Sequence, residues 1–308
     1  MKIYIEKSKI NGAWIWINKG YKSAWNNEGF DVKEYTNIEE INEPNGSYDI
    51  MSSDWHIKTQ NAVDVLAKSR RAYLFAQPNN FPGPWNRHPN FTSVISGEHT
   101  AQINESENIY LWSWAEVDNE LGRDVFSKWK EINVVPLAFD SVNYSEMSDK
   151  RYEYDVCFIG GWANNGFDEK RKLMLEYFRP FMKSGLKCGI FVGKNLTHEQ
   201  ENLVLCNSKV SINVHDAHHH HTHFDTNERT FKSLALTGLL VSDAGGQRQM
   251  KKYFANVPLC KNPEEMFDVV ERYVNMPEEE LKPMKEKNRK EIKQNHTYIN
   301  RVRQMAKL

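Results

Sequence analysis

The feature that most constrains the fold of this chain is an alternation of short apolar segments with longer amphipathic ones. Apolar, β-branched segments bounded by glycine, asparagine or aspartate predict strands, and the segments between them have helical periodicity. Strands that alternate with helices are typical of an α/β fold with a parallel sheet. The first series predicts strands at Met1–Ile5, Phe30–Tyr35, Tyr48–Ser52, Ala72–Ala76, Thr92–Ser96 and Val134–Phe139, and helices at Lys22–Glu28, Asn61–Ser69 and Asp118–Lys130.

The same pattern begins again after a polar, turn-like segment, Ser141–Tyr152. The second series predicts strands at Asp155–Ile159, Lys187–Val192, Lys209–Val214 and Gly238–Ser242, and helices at Asp168–Met182, Asn227–Thr237, Gln247–Phe254, Glu264–Asn275, Glu278–Asn295 and Tyr298–Lys307. Two such series predict two Rossmann-like domains, at residues 1–140 and 141–295, facing an interdomain cleft. We expect residues 296–308 to form a helix that crosses back to the first domain.

Composition and charge exclude several classes of protein. The 308 residues are 40% apolar with a net charge of −1, which suits a globular protein and argues against a uniformly basic nucleic-acid binder. The four cysteines lie far apart, which indicates buried thiols in a reducing compartment. The N-terminus reads as a strand rather than a signal peptide, and no apolar run is long enough to span a membrane. The expected location is therefore the cytoplasm, or the host cytoplasm if the protein is viral.

A pair of glycines ends the first strand of the second series. Gly160 and Gly161 follow Phe158 and Ile159 and precede a predicted helix. Glycine lets a phosphate group approach backbone N–H donors near a helix N-terminus. A simple tight turn explains the pair equally well, because the segment lacks the Gly-x-Gly-x-x-Gly dinucleotide fingerprint.

A more specific pattern runs from Asn227 to Asp243, where a predicted helix with Arg229 in its first turn ends at Gly238 and a buried strand follows. An arginine in the first helical turn is unfavourable against the macrodipole unless an anion compensates it. A diphosphate would do so, because guanidinium binds phosphate bidentately. The alternative is an ion pair with Glu228, Asp225 or Asp243.

The segment Arg229–Gly238, written Arg-x-Phe-x-x-x-Ala-x-x-Gly and followed by an apolar strand and an acid, resembles the nucleotide-sugar site of the CgeB/YkvP-like, spore-protein-like glycosyltransferases, relatives of the GT4-type group. Four further segments resemble this family in the same order: Tyr154–Gly160, Ser211–His215, Met250–Phe254 with Pro263–Met266, and the closing His-x-Tyr-x-x-Arg at His296–Arg301. The resemblance covers most of residues 150–308, and before them only a general β/α pattern.

This resemblance implies a GT-B fold and transfer of a sugar from a nucleotide-diphosphate sugar, with a UDP-sugar favoured and no metal required. Arg229 would neutralise the leaving diphosphate with help from Lys194 or Lys232, while Asp243, Gly245 and Gly246 shape the sugar end. The full expected donor site is Gly160, Gly161, Lys194, His215, Asn227, Glu228, Arg229, Thr230, Lys232, Asp243, Gly245 and Gly246. One position departs from the family: Lys232 replaces the Glu expected to hold the ribose hydroxyls, and a lysine cannot accept hydrogen bonds from a diol.

Six histidines and an aspartate fall within the nine residues His215–His223. Such a segment could bind a transition metal, but dense histidine tracts also bind metals adventitiously, without a supporting second shell. We expect no metal site here. The segment precedes the Arg229 helix, so one of its histidines could touch the donor instead.

The first domain must supply the group that accepts the acceptor's proton if transfer inverts the anomeric centre. Asp54 and His56 follow a predicted strand, and His99 follows another. Because α/β folds place ligands at the carboxyl ends of strands, these three residues are the catalytic candidates. A packing or surface role is the alternative for each.

Three functions remain in competition. The first is sugar transfer to an unidentified saccharide, protein or modified nucleobase. The second is a viral or phage DNA-base glycosyltransferase, which would need a basic groove built from residues such as Lys68, Arg70, Arg71 and Arg87. The third is a non-catalytic nucleotide-binding or structural homologue, suggested by Lys232.

Overall fold

The computed structural model describes residues 1–7, 13–87, 91–162, 169–194 and 196–307. Two compact units divide the chain: unit 1 is Met1–Pro136 with the described residues from Ile299 onward, and unit 2 is Leu137–Tyr298. The last helix, α12 (Tyr298–Ala306), carries the chain into its second stretch of unit 1. Among the described residues, no helix combines the length and apolarity needed to cross a membrane.

Unit 1 is built on a six-stranded parallel sheet. Its strands are β1 (Lys2–Glu6), β2 (Asp31–Tyr35), β3 (Tyr48–Ser53), β4 (Arg71–Phe75), β5 (Ile109–Ser113) and β6 (Asn133–Val134), in the order β2-β1-β3-β4-β5-β6. Its helices before α12 are α1 (Ala13–Asn27), α2 (Gln60–Lys68), α3 (Gly97–Glu105) and α4 (Glu120–Val125). Every residue of β3 is buried, as expected for a central parallel strand covered on both faces.

Unit 2 is built on a five-stranded parallel sheet. Its strands are β7 (Tyr154–Gly160), β8 (Cys188–Val192), β9 (Ser208–Asn213), β10 (Leu240–Asp243) and β11 (Leu259–Cys260), in the order β11-β10-β9-β7-β8. Its helices are α5 (Glu169–Lys183), α6 (His198–Cys206), α7 (His219–Thr222), α8 (Glu228–Leu236), α9 (Gln247–Tyr253), α10 (Pro263–Val274) and α11 (Glu278–Asn295).

The unit 2 core lies between this sheet and helices α5 and α10. Val156, Phe158 and Ile212 from the strands pack with Phe178 and Phe181 of α5 and with apolar residues of α10. Burying each of these side chains contributes about 1.5–3 kcal/mol relative to exposure. This packing fixes the sheet whose carboxyl edge carries the residues described below.

The boundaries of α8 agree with the sequence prediction. The helix ends at Leu236 and Gly238 follows with φ of +83°, the left-handed conformation that favours glycine after a helix. A Cβ at Gly238 would also lie 2.8 Å from Lys285 Cβ on α11. The glycine therefore ends the helix and allows α11 to pack closely.

Four sequence predictions in unit 1 were wrong. Thr92–Ser96 is not a strand: Ser93 makes a backbone hydrogen bond to Pro78, and the Ser96 side chain caps α3. The helix predicted at Asp118–Lys130 is only α4, because Trp129 donates its indole N–H to the Gln77 carbonyl and the chain has already turned.

The other two errors concern a helix start and a strand. The helix predicted at Lys22–Glu28 begins earlier, because α1 starts at Ala13 and includes Trp14–Ile17, where a buried face overrides the low helix propensity of aromatic and β-branched residues. Val134–Phe139 contributes only Val134 to a strand, β6, and the strand Ile109–Ser113 was missed. The predicted helix start at residue 168 lies outside the described residues.

Candidate functional site

The carboxyl ends of β7 and β9 meet at the point where the strand order of unit 2 reverses. Connections leave this point toward opposite edges of the sheet, and open α/β sheets bind ligands in the crevice that results. Gly160 ends β7 and Asn213 ends β9. Helix α8 places Arg229 over both strand ends.

Arg229 is held by groups from both strands. Its Nε donates to the Ile159 carbonyl at 2.6 Å, and Nη1 donates to Asn213 Oδ1 at 2.7 Å. The guanidinium carbon lies 4.4 Å from the centroid of the Phe158 ring, a cation–π contact. The side chain is therefore fixed in position while it stays partly exposed.

The charge of Arg229 is only partly compensated by the residues that the structure describes. It makes no ion pair among the described residues, so pairing with Glu228, Asp225 or Asp243 does not explain it. Burial lowers the pKa of Arg229, although Asp216 and Asp243 oppose this effect from a distance. A positioned, under-compensated guanidinium at the start of a helix is suited to an anion.

The two glycines at the end of β7 have different surroundings. A Cβ at Gly160 would overlap the Arg229 guanidinium and lie 3.1 Å from the Phe158 ring. A Cβ at Gly161 would meet no atom of the described residues within 4 Å, and this residue is exposed. Gly160 is thus required for the position of Arg229, whereas Gly161 leaves its backbone open.

A network of mostly buried polar side chains holds Asn213, the hydrogen-bond acceptor of Arg229, in place. Asn213 Nδ2 donates to Thr230 Oγ1 at 3.2 Å and to Ser242 Oγ at 3.3 Å, while Asn213 Oδ1 also accepts from Asn227 Nδ2 at 2.9 Å. Thr226 and Thr230 share a hydrogen bond of 2.6 Å between their hydroxyls. Asn227 and Thr230 therefore orient the partner of Arg229.

His215 and Asp243 form a fully buried pair. The His215 backbone N–H donates to Asp243 Oδ2 at 2.8 Å, and its Nδ1 pairs with the other carboxylate oxygen. Burial alone would raise the pKa of Asp243, but His215 and His220 hold it below its usual value. The carboxylate is therefore ionised and occupied by protein donors.

Gly245 and Gly246 pack on this pair rather than opening a space. A Cβ at Gly246 would lie 2.6 Å from the Asp225 carbonyl oxygen and 2.7 Å from His215 Nε2. A Cβ at Gly245 would overlap the Cβ of His215. These glycines allow the chain after β10 to cross the His215 ring.

Lys232 lies in a buried ionic cluster on the α6 side of α8. Its ammonium is 2.8 Å from Glu201 Oε1 and 3.5 Å from Glu228 Oε2, and its side chain also approaches the Tyr144 hydroxyl. Burial would lower the pKa of Lys232, but Glu201 and Glu228 raise it well above its usual value. Burial also raises the pKa of Glu228 to about 7, with Lys232 opposing. The positive charge of Lys232 is therefore neutralised by acidic side chains of unit 2.

Lys194 lies just beyond β8 and is exposed, and β8 is the edge strand beside β7. The preceding residue, Gly193, donates its N–H to the Gly160 carbonyl at 2.9 Å, so Lys194 lies beside the end of β7. The structure therefore brings together Gly160, Asn227, Arg229 and Thr230. The pair of His215 and Asp243, with Gly245 and Gly246, is joined to them because His215 Nε2 lies 3.3 Å from Asn213 Nδ2 and 2.8 Å from Thr226 Oγ1.

Unit 1 carries a second cluster at the corresponding strand ends, those of β1 and β3. The buried Glu6 accepts hydrogen bonds from the Ser53 N–H at 2.9 Å and the Ser53 hydroxyl at 3.0 Å. His56 Nε2 lies 3.3 Å from Glu6 Oε2, and its side chain is 32% exposed. A buried carboxylate thus orients a histidine that solvent can reach.

Asp54 and His99 have different environments. Asp54 is buried, accepts the Gln77 N–H at 3.0 Å, and has its pKa raised to about 6 by burial. His99 lies in the first turn of α3, not after a strand, because Thr92–Ser96 is irregular. Asp54 and His56 share the turn after β3, and His99 lies on another element.

Sequence reasoning missed four supporting residues, Asn213, Glu201, Tyr144 and Glu6. Asn213 and Glu6 end predicted or observed strands beside the reversal of strand order, so the strand-end rule could have found them. Glu201 and Tyr144 carry no such signal, because their contact with Lys232 depends on how α6 packs against α8.

Comparison with known proteins gives one family match. A family model described as glycosyl transferase-like matches residues 147–307, about half of the chain. No curated protein sequence matches the chain.

Solved structures resemble the whole chain at low identity. A T4 phage BGT in complex with its UDP-glucose substrate has a TM-score of 0.54 and 12% identity, covering 96% of this chain and 95% of that one. An α-glucosyltransferase in complex with UDP and a 13-mer DNA containing a HMU base has 0.60 and 10%, covering 100% and 98%. A sucrose-phosphate synthase from Thermosynechococcus elongatus has 0.57 and 10%, covering 99% and 97%. With the two parallel sheets, these likenesses confirm the predicted GT-B fold.

Proposed function

The chain belongs to the glycosyl transferase-like family, and from this premise we propose that unit 2 binds a nucleotide-diphosphate sugar, with UDP as the nucleotide. The membership confirms the prediction of a glycosyltransferase. The observation that carries the donor-site proposal is the guanidinium of Arg229, which is fixed at the strand ends of β7 and β9 and makes no ion pair within the described residues. UDP is chosen because two of the similar structures contain UDP or UDP-glucose.

In this proposal Arg229 binds the diphosphate and neutralises the negative charge that grows as the sugar leaves. Charge that develops in the transition state is stabilised most by donors already fixed in place. The exposed backbone at Gly161 and the N-terminal end of α8 supply further N–H donors. Lys194, which follows β8, would add a second positive charge near the diphosphate. Asn227 and Thr230 act through Asn213 as positioning residues.

The narrower resemblance to the CgeB/YkvP-like enzymes supports the same site but not every contact in it. Lys232 is committed to Glu201 and Glu228, so the ribose contact made by that family's Glu is not carried over to this position. Asp243 is likewise committed to His215. We assign His215, Asp243, Gly245 and Gly246 to the wall of the sugar end and not to direct contact.

For the proton of the acceptor hydroxyl, we assign His56 as the general base. It is partly exposed, and the buried carboxylate of Glu6 lies beside its Nε2 and orients the ring, which leaves the ring within reach of an acceptor hydroxyl. Asp54, two positions earlier, is more deeply buried, and burial raises its pKa to about 6; a direct part in proton transfer stays a prediction for it. His99 stays a prediction.

The proposal is tested by measuring UDP release from UDP-glucose and other UDP-sugars with the full chain, alone and with saccharide, peptide and duplex DNA acceptors. Acceptor-dependent UDP release in wild type, lost in Arg229→Ala, is the expected result. If the protein turns over the sugars of another nucleotide diphosphate and does not turn over UDP-sugars, the choice of UDP is refuted. Turnover that survives in Arg229→Ala would refute the site.

A modified base in duplex DNA is the second candidate acceptor, favoured by the similar structure that contains DNA with a HMU base. Within unit 1, Arg70 is paired with the buried Asp49 at 2.5 Å, and Arg71 Nη1 donates to the Ala306 carbonyl. Lys68 is exposed and available to phosphate. Duplex binding that falls steeply with salt, together with sugar incorporation into the DNA, would establish this acceptor. Saccharide turnover without duplex binding would exclude it.

A further inference from the structure

The histidine segment His215–His223 divides into groups with different partners. His215 and His220 both contact Asp243, the second through Nε2 at 3.0 Å. His223 Nδ1 lies 2.8 Å from the Gly245 carbonyl. These three histidines are therefore used by the protein, and His221 is exposed.

The remaining two histidines face an acid of the same segment. Asp216, His218 and His219 each place a ligand atom within 4.8 Å of the others. The rings of His218 and His219 are 4.0 Å apart between centroids and 32° from parallel. Imidazole nitrogens and a carboxylate oxygen are the ligands that Zn²⁺ prefers when thiolates are absent. Zn²⁺ binds such nitrogen and oxygen atoms at about 2.0–2.2 Å.

His219 has the surroundings of a metal-binding histidine. Its Nε2 lies 3.4 Å from Asp225 Oδ1, and the residue is only 6% exposed. Its Nδ1 is buried and has no hydrogen-bond partner in the described part of the chain. Metal-bound histidines characteristically give one nitrogen to a carboxylate and the other to the ion. An adventitious histidine tract would lack this buried second contact.

We propose that Asp216, His218 and His219 form a site for one Zn²⁺ ion, with Asp225 orienting His219. Three protein ligands leave one tetrahedral position open for water or another ligand. Lys170 is the natural competitor, because its buried ammonium lies 2.7 Å from Asp216 Oδ1. The site is independent of the proposed sugar transfer.

The test is a competition titration of Zn²⁺ against a chromophoric chelator, using the full chain. Wild type should bind one Zn²⁺, with Mg²⁺ unable to displace it. His219→Ala should abolish stoichiometric binding, and Asp225→Asn should weaken it by about 10- to 100-fold. Lys170→Met should tighten binding, because a competing cation is removed.

His221→Ala is the matched control, since it removes an exposed histidine from the same segment. It should leave the affinity unchanged. Equal weakening by His221→Ala and His219→Ala would overturn the proposal, as would the absence of one-to-one binding in wild type. If His219→Ala does not fold, weaker binding in Lys170→Met or unchanged binding in Asp225→Asn would overturn it.

Discussion

The proposed donor site depends on Gly160 having no side chain. We predict that Gly160→Ala moves the Arg229 guanidinium, because the added Cβ would overlap it. UDP affinity should fall by at least about tenfold, equivalent to the loss of roughly one charge-assisted hydrogen bond. Titration calorimetry measures the change.

Gly161→Ala is the control for that substitution, because a Cβ there would meet no atom within 4 Å in the described part of the chain. It should bind UDP as wild type does. Equal affinities in the Gly160→Ala and Gly161→Ala variants would contradict the assigned role of Gly160.

Asp54 gives a prediction for pH dependence within unit 1. Burial raises its pKa from 3.8 to about 6, so folding favours its protonated form. The stability from that protonated form is complete below about pH 4 and is lost as the pH rises through 6. The free energy of unfolding of Asp54→Asn, compared with that of wild type, should therefore rise by about 3 kcal/mol between pH 4 and pH 8.

Urea denaturation at several pH values measures this difference, with the exposed Asp124→Asn as the matched control. A difference between Asp54→Asn and wild type that does not vary with pH would contradict the raised pKa of Asp54.

Single residues of the donor site were predictable where a local rule applies to them. Arg229 in a first helical turn and Gly160 at a strand end follow from position in an element, and the structure brings them together. The partners of Lys232 and Asp243 were not predictable. Glu201 is 31 positions from Lys232, and His215 is 28 from Asp243, so only tertiary packing brings these charges together.

At the scale of elements, an ion pair between Lys232 and Glu201 links α8 to α6. Lys232→Met should destabilise unit 2 by about 3–5 kcal/mol, because it removes the cation from the buried Glu228 and the largely buried Glu201. The double variant Lys232→Met/Glu201→Gln should recover most of this loss. Chemical denaturation monitored by fluorescence measures both.

The same variants separate a structural Lys232 from one that contacts the donor. We expect the folded Lys232→Met protein to bind UDP with the wild-type affinity. Wild-type stability with lost UDP affinity would show that Lys232 binds the nucleotide.

Elements were predicted well where a terminating residue agrees with the apolar pattern, and poorly where it does not. Gly238 fixed the end of α8 in the prediction and in the structure. Thr92–Ser96 has strand-like composition, but Ser96 is a helix cap, and that local hydrogen bond decided the conformation.

At the scale of the whole molecule, the two sheets repeat one strand order, with the second strand, the first and the third adjacent in each. Each sheet therefore has a reversal of strand order between its first and third strands. Arg229 lies at this reversal in unit 2, and Glu6 and His56 lie at the corresponding reversal in unit 1. The sequence predicted the α/β alternation and the GT-B fold, while strand order came only from the structure.

Binding of a nucleotide diphosphate by Arg229 and the strand ends of unit 2 is the proposal on which the assigned function depends. Its most direct test is the melting temperature of wild type, Arg229→Ala and the exposed control Arg272→Ala with and without UDP. At about 100 times its Kd, UDP should stabilise wild type and Arg272→Ala by about 2.7 kcal/mol and leave Arg229→Ala unchanged. An equal rise in all three proteins, or no rise in wild type with any nucleotide diphosphate, would contradict the claim.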